Sequence, residues 1–162
     1  MVTRNGLMNG SVDEYLSFAD ERTDILHVYF LPTAQFAQFL ARMREIIPRH
    51  SCDLINATVR EVRSDPDTVL RYAGQDMLAI VLFFNMERSV DADQRMALLT
   101  RDLIDAAINL GGRNYLPYRL HATAGQFARA YPRAVDFFQA KLRFDPGELF
   151  QNEFYRRYFP GR

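Results

Sequence analysis

"DMLAIVLFF", Asp76 to Phe84, is the stretch that decides the fold. Its apolar run from Met77 leaves no polar stripe for either face of a strand, and it is short for a helix. It predicts a central strand covered on both sides. Extended to Met86, the run is still only about half a membrane span.

The neighbouring segments complete a pattern. Upstream, "LINATVREVR" alternates over Leu54 to Arg63, with Leu54, Asn56, Thr58, Arg60 and Val62 on one face and Ile55, Ala57, Val59, Glu61 and Arg63 on the other. Earlier, "ILHVYFL" (Ile25 to Leu31) is β-branched and aromatic and stops at Pro32, so it predicts a first strand. Thr33 is placed to N-cap a helix that aligns Phe36, Phe39, Leu40, Met43 and Ile47 and ends at Pro48. Downstream, "DADQRMALLTRDLIDAAINL" predicts a long helix with Met96, Leu99, Leu103 and Ala106 along one stripe, stopped by Gly111-Gly112. "RNYLPYRL" (Arg113 to Leu120) predicts a fourth strand, with Pro117 pushing it to a sheet edge.

The order β-α-β-β-α-β predicts an α+β, ferredoxin-like antiparallel sheet with both helices on one face. Residues 1–23 are polar and predict a linker or lead-in helix; 24–122 form the core; 123–162 carry C-terminal helices and a tail. Thr123-x-x-Gln126 has the spacing of a capping box, opening a helix that ends near Tyr131-Pro132, before a second one to about Arg143. The tail is crowded with Phe144, Leu149, Phe150, Phe154, Tyr155, Tyr158 and Phe159, after a stiff Asp145-Pro146 turn. This arrangement leaves a gap. Two helices cover one sheet face, yet the central strand is apolar on both. The C-terminal tail, a second copy of the chain (a homodimer through the open face) or another domain is expected to cover the second face.

Bulk composition narrows the function classes. The 162 residues carry 20 Lys+Arg and 20 Asp+Glu, for a formal net charge of zero, which argues against a general nucleic-acid or anionic-membrane surface. An RNA-recognition sheet shares the element order, but "DMLAIVLFF" lacks the basic, glycine-rich, aromatic motif such a strand carries. The single cysteine, Cys52, rules out an internal disulfide and a cysteine-built metal site. The N-terminus lacks a signal-peptide core, so a cytoplasmic setting is expected, with peripheral membrane association as the alternative.

Three segments resemble a family, the flavin-dependent oxidoreductases of the vanillyl-alcohol oxidase type, and within it the aldonolactone and alditol oxidase branch. "TVREVRSD" is similar to the cap-domain strand that carries an arginine with an aspartate five residues on, here Arg60 and Asp65. "GGRNYLPYRLHATAGQFARAYPR" is similar to the Gly-Gly-Arg stretch leading to active-site polar residues. "KLRFDPGELFQNEFYRRY" is similar to the closing signature of an Asp-Pro, a Phe-x-Asn and a terminal aromatic. The resemblance implies the C-terminal cap, or substrate, domain of an FAD-linked oxidase. FAD would be bound mainly by a separate N-terminal domain or subunit, and the substrate would be a small alcohol such as a sugar lactone or polyol.

The resemblance also implies site residues. Arg60 would contact substrate or the flavin edge; by pattern alone it is a surface arginine beside Asn56 and Thr58. Glu61-Val62-Arg63 offers the acid-x-arginine pair in a register shifted by one, which places the arginine on the other sheet face. Tyr115 and Tyr118 stand where related oxidases carry a histidine and a lysine, a departure that bears on polyol specificity. His121 beside them is the general-base candidate. Asn152 would lie near the flavin ring, with Phe150, Phe154 and Tyr158 as interface anchors; alternatively these aromatics are core. His27 and His50 have no partner at metal-ligand spacing and are expected to be structural.

Overall fold

The computed structural model describes residues 21–159. They form an α+β unit with a four-stranded antiparallel sheet and five α-helices among the described residues. Strand β1 is Arg22–Pro32, helix α1 Phe36–Ile46, β2 Asp53–Val62, β3 Met77–Glu87, α2 Val90–Asn109, β4 Arg113–Asn114, α3 Ala124–Ala130, α4 Ala134–Phe144 and α5 Glu153–Tyr158. The expected lead-in segment lies outside the described residues up to residue 20, and β1 begins inside its last few positions.

The sheet runs β2-β3-β1-β4. The stretch from Met77 is one of its two central strands, paired with β1 along its whole length and with β2 on the other side. Every second residue of β3 (Ile80, Leu82, Phe84, Met86) enters the main core, where Tyr29 and Leu31 of β1 meet Phe39 and Met43 of α1 and Met96, Leu99, Leu103 and Ile104 of α2. Ser89 Oγ accepts from the Ala92 N–H and caps α2 at its start. At its end Gly111 takes φ +73°, Gly111 N–H donates to Ile108 O, and Gly112 N–H donates to Ala107 O, a Schellman stop. Gly112 also sits against β1: a Cβ there would lie 2.5 Å from both Phe30 O and a Leu31 methyl.

The second sheet face holds a smaller core of Val28, Phe30, Ala73, Met77 and Ala79, flanked by Val62, Val81, Tyr115 and Tyr118. Among the described residues the C-terminal tail does not supply its cover. The connection between β2 and β3 folds back over it, burying Ala73 and stacking Tyr72 on Phe30. Asp65 holds this connection in shape. Its backbone N–H donates to Ala73 O, and its carboxylate accepts from Thr68, through side chain and backbone, and from the Asp67 N–H. Those bonds, led by the Thr68 hydroxyl, lower its carboxyl pKa.

Three local expectations change. Thr33 makes no capping bond; it opens a short 3-10 turn, Thr33–Gln35, that delivers the chain to α1. A bulge between Leu54 and Asn56 pairs Leu54 with Phe84 and Asn56 with Phe83, so Leu54 lies on the face opposite Asn56, Thr58 and Arg60. The fourth strand shrinks to Arg113–Asn114. It pairs with Tyr29 and Phe30, and then Leu116-Pro117 leads the chain off the edge.

The tail's aromatics divide. Phe154, Tyr155, Tyr158 and Phe159 pack among Phe127, Phe137 and Phe138 of α3 and α4. The capping box forms as its spacing predicts, with the Thr123 side chain accepting from Gln126 N–H and the Gln126 side chain accepting from Thr123 N–H. Phe144, Leu149 and Phe150 instead stand 80%, 83% and 80% exposed. Between them, Asp145 accepts from the N–H groups of Leu149 (2.9 Å) and Phe150 (3.0 Å) and pairs with Lys141. The Lys141 ammonium and these N–H donors hold the Asp145 carboxyl down at about 2. Among the described residues no helix is long and apolar enough to cross a membrane.

Candidate functional site

Tyr118 and Asn152, singled out from separate segments of sequence, line one groove. It encloses about 580 Å³ between Leu70, Leu116, Pro117 and Leu120 on one side and Asn152, Glu153 and Phe154 on the other. The segment after β4 builds the first wall. Its Tyr115 N–H donates to Val28 O at 2.9 Å, pinning the strand's exit to β1. Tyr115 and Tyr118 then meet edge to face, with centroids 5.3 Å apart, and Tyr115 also contacts Phe30 and Tyr72. An aromatic cluster thus runs from the second sheet face to the groove.

Asn152 forms the opposite corner. Its Oδ1 accepts from the Tyr155 N–H at 2.8 Å, which makes it the N-cap of α5. The residue is exposed and lines a second, smaller groove of about 310 Å³ with Phe137, Lys141 and Phe150. It therefore sits on the ridge between two apolar hollows, with its oxygen engaged by the helix.

Arg60 lies opposite Ala79 on the second sheet face, in the same row as Asn56 and Thr58, and is exposed. It is not among the residues lining the groove of Tyr118 and Asn152. Asp65, expected to accompany it, is committed to the covering connection instead. In the alternative register Glu61 pairs with Leu78, and Arg63 reaches Asp76 at 3.3 Å with 87% of its side chain exposed.

His121 is not on the aromatic side at all. Its ring packs on α2: Nδ1 is 3.1 Å from Thr100 Oγ1, and Nε2 is 3.5 Å from Asp93 Oδ1. The Arg101 Nε–H fixes its backbone by donating to His121 O at 2.9 Å. Burial lowers the pKa of the imidazole; Arg119 and Arg101 act in the same direction, and Asp93 opposes them. On the far side of Thr100 lies His27, which burial above all, then His121 and Arg119, hold down at about 3. Sequence reasoning missed this pairing because the two histidines are far apart in the chain and meet only through α2. His50, the third, pairs with Asp102 at 2.8 Å. Among the described residues no group of three or more His, Cys, Asp or Glu side chains is arranged to hold a metal ion.

The groove's donor set suits the edge of a flat aromatic ring: apolar walls, a phenol and an amide. It has a carboxylate, Glu153, and no cationic side chain in its lining, so it offers nothing to a diphosphate. No protein-family model and no curated protein matches this chain.

Proposed function

We propose that this chain is the substrate-binding cap of an FAD-dependent oxidoreductase acting on a CH–OH donor, of the aldonolactone and alditol oxidase kind. The observation that carries this reading is the convergence of Tyr118 and Asn152 on one ring-sized groove. Two of the three family-like segments meet there. The strand order supports the reading as well. Taken from the β4 edge it runs 4-1-3-2 with every neighbour antiparallel, the order of a ferredoxin-like frame.

In this reading the flavin's diphosphate belongs to a separate domain or subunit, and the groove receives the ring edge and the alcohol. Bound flavin supplies the hydride acceptor. Tyr118 and the Asn152 amide orient the substrate, whereas Arg60, exposed on the outer strand β2, lies outside the groove and takes no part in this reading. His121 does not serve as the base through the groove, because its ring faces α2. Proton removal there falls to Tyr118 or to a group on the flavin-bearing partner.

The test is complementation with a flavin-loaded N-terminal domain, encoded beside or ahead of this chain. Alone, the chain purifies colourless and does not oxidise alcohols. With the flavin domain it forms a stable complex whose flavin is bleached by an alcohol donor. Tyr118→Ala and Asn152→Ser each slow that bleaching about tenfold or more, the loss of about 1.4 kcal/mol of transition-state positioning. Stoichiometric flavin on the chain alone, or bleaching unaffected by both substitutions, overturns the proposal.

A further inference from the structure

The polar groups between the sheet and α2 form one continuous chain, and its proton inventory can be counted. Thr100 is buried, with its hydroxyl oxygen 2.6 Å from Met96 O, 3.3 Å from His27 Nε2 and 3.1 Å from His121 Nδ1. A hydroxyl has one proton to give, and a carbonyl can only accept. The short contact to Met96 O claims that proton, so both ring nitrogens donate to the Thr100 oxygen. His27 then carries its hydrogen on Nε2, and its Nδ1 accepts from the Tyr29 hydroxyl at 3.2 Å. His121 carries its hydrogen on Nδ1, which leaves a lone pair on Nε2. That lone pair faces Asp93 Oδ1 at 3.5 Å, an acceptor set against an acceptor. At every other link the donors and acceptors already match. At Nε2 of His121 an added proton gains a charged partner, the Asp93 carboxylate.

We infer that His121 is a pH-operated latch: a proton on its Nε2 adds a second tie, beside that of Arg119, between the segment that follows β4 and Asp93 in the first turn of α2. The charged groups around it are few. Asp93 and Arg101 face it from α2, Arg119 from its own segment, and neutral His27 from β1. Arg119 already pairs with Asp93, so arginine and proton share one carboxylate. Asp93 favours the charged imidazole; Arg119, Arg101 and burial oppose it, which places the latch on the acid side of the ordinary histidine range. Its mechanical consequence falls on the groove. Leu116, Pro117, Tyr118 and Leu120 form one groove wall just before His121, so fastening His121 to α2 stiffens that wall. The device belongs to this chain alone and does not depend on a flavin.

The test is nitrogen-detected NMR of the histidine side chains in the full chain. At pH 8 the expected spectrum shows opposite tautomers, with hydrogen on Nε2 of His27 and on Nδ1 of His121. On acidification His121 titrates first, and the amides of Leu116, Tyr118, Arg119 and Leu120 shift with the same midpoint. Asp93→Asn moves that midpoint down and uncouples the amides; Arg119→Gln moves it up. Asp93 is 48% exposed in its side chain, so its replacement leaves the core intact, and the tautomer measurement needs no variant. An Nε2–H tautomer of His121 at pH 8 overturns the inference. So does a midpoint indifferent to Asp93→Asn.

Discussion

Phe30 and Tyr72 lie face to face, their ring centroids 4.4 Å apart and their planes 19° from parallel. One ring belongs to a central strand and the other to the connection between β2 and β3. Through this stack the chain covers the part of the second sheet face around Phe30, while the β2 side of that face stays exposed.

Removing the Tyr72 ring uncovers a face of Phe30. Tyr72→Ala is expected to cost about 1–2 kcal/mol in urea unfolding, since an aromatic pair contributes about 0.5–1.5 kcal/mol beyond its buried area. It should also raise binding of an apolar fluorescent dye. Tyr72→Phe keeps the stack and should match the parent in both measurements.

Gly112 tolerates no side chain. A Cβ placed 2.5 Å from Phe30 O meets backbone that belongs to the sheet and cannot swing aside. Gly112→Ala is expected to destabilise by about 1–3 kcal/mol, the usual range for overpacking. Gly111→Ala, at φ +73°, strains the helix stop but meets no atom closer than 3.7 Å, so it should cost less. Thermal melts of the two variants, run side by side, check the order.

Asn152 has a capping role that must be separated from any role in the groove. Asn152→Ala loses the bond to Tyr155 N–H and should cost about 0.5–2 kcal/mol, while Asn152→Ser retains a good cap and should cost far less. A stability difference between the two in calorimetry confirms the cap. A loss of flavin reduction in the stable serine variant isolates what the amide does for substrate.

Acid should weaken the fold in a definite window. The His27 imidazole titrates near 6.5 in an unfolded chain and at about 3 here, so between those values the unfolded state binds more protons. Stability is then full above about pH 6.5 and declines as pH falls toward 3, by up to about 1.4 kcal/mol per unit for this one group. His121, also lowered, adds in the same sense. Urea midpoints measured from pH 7.5 to 4.5 should show the slope. His27→Gln, which keeps polar atoms but cannot titrate, should flatten it.

Much of this architecture is written in short-range pattern. The apolar run of β3 and the stripe from Met96 through Leu103 each reflect which side chains face a core, so periodicity exposes them; β2 is exposed along nearly its whole length. The bulge at Leu54 to Asn56 escaped because both Leu54 and Ile55 are apolar, and an extra residue leaves no trace in such a pair. The covering connection escaped because Tyr72 and Ala73 act singly, with no repeat to betray them. His121 sits in the segment where sequence looked for a base, yet its direction is set by Thr100, a partner fixed only once α2 has packed. Tyr118 and Asn152 were legible as separate motifs; that they share a groove depends on how the tail wraps α3 and α4.

The turn held by Asp145 has a consequence for association. Phe144, Leu149 and Phe150 project from backbone already fastened by two N–H bonds and a lysine, so their spacing is fixed before anything touches them. Contact through these rings sacrifices little chain entropy, about 1–2 kcal/mol less per residue than ordering a loose tail would. Acid that neutralises Asp145, near pH 2, dissolves that advantage by setting the three side chains free of one another.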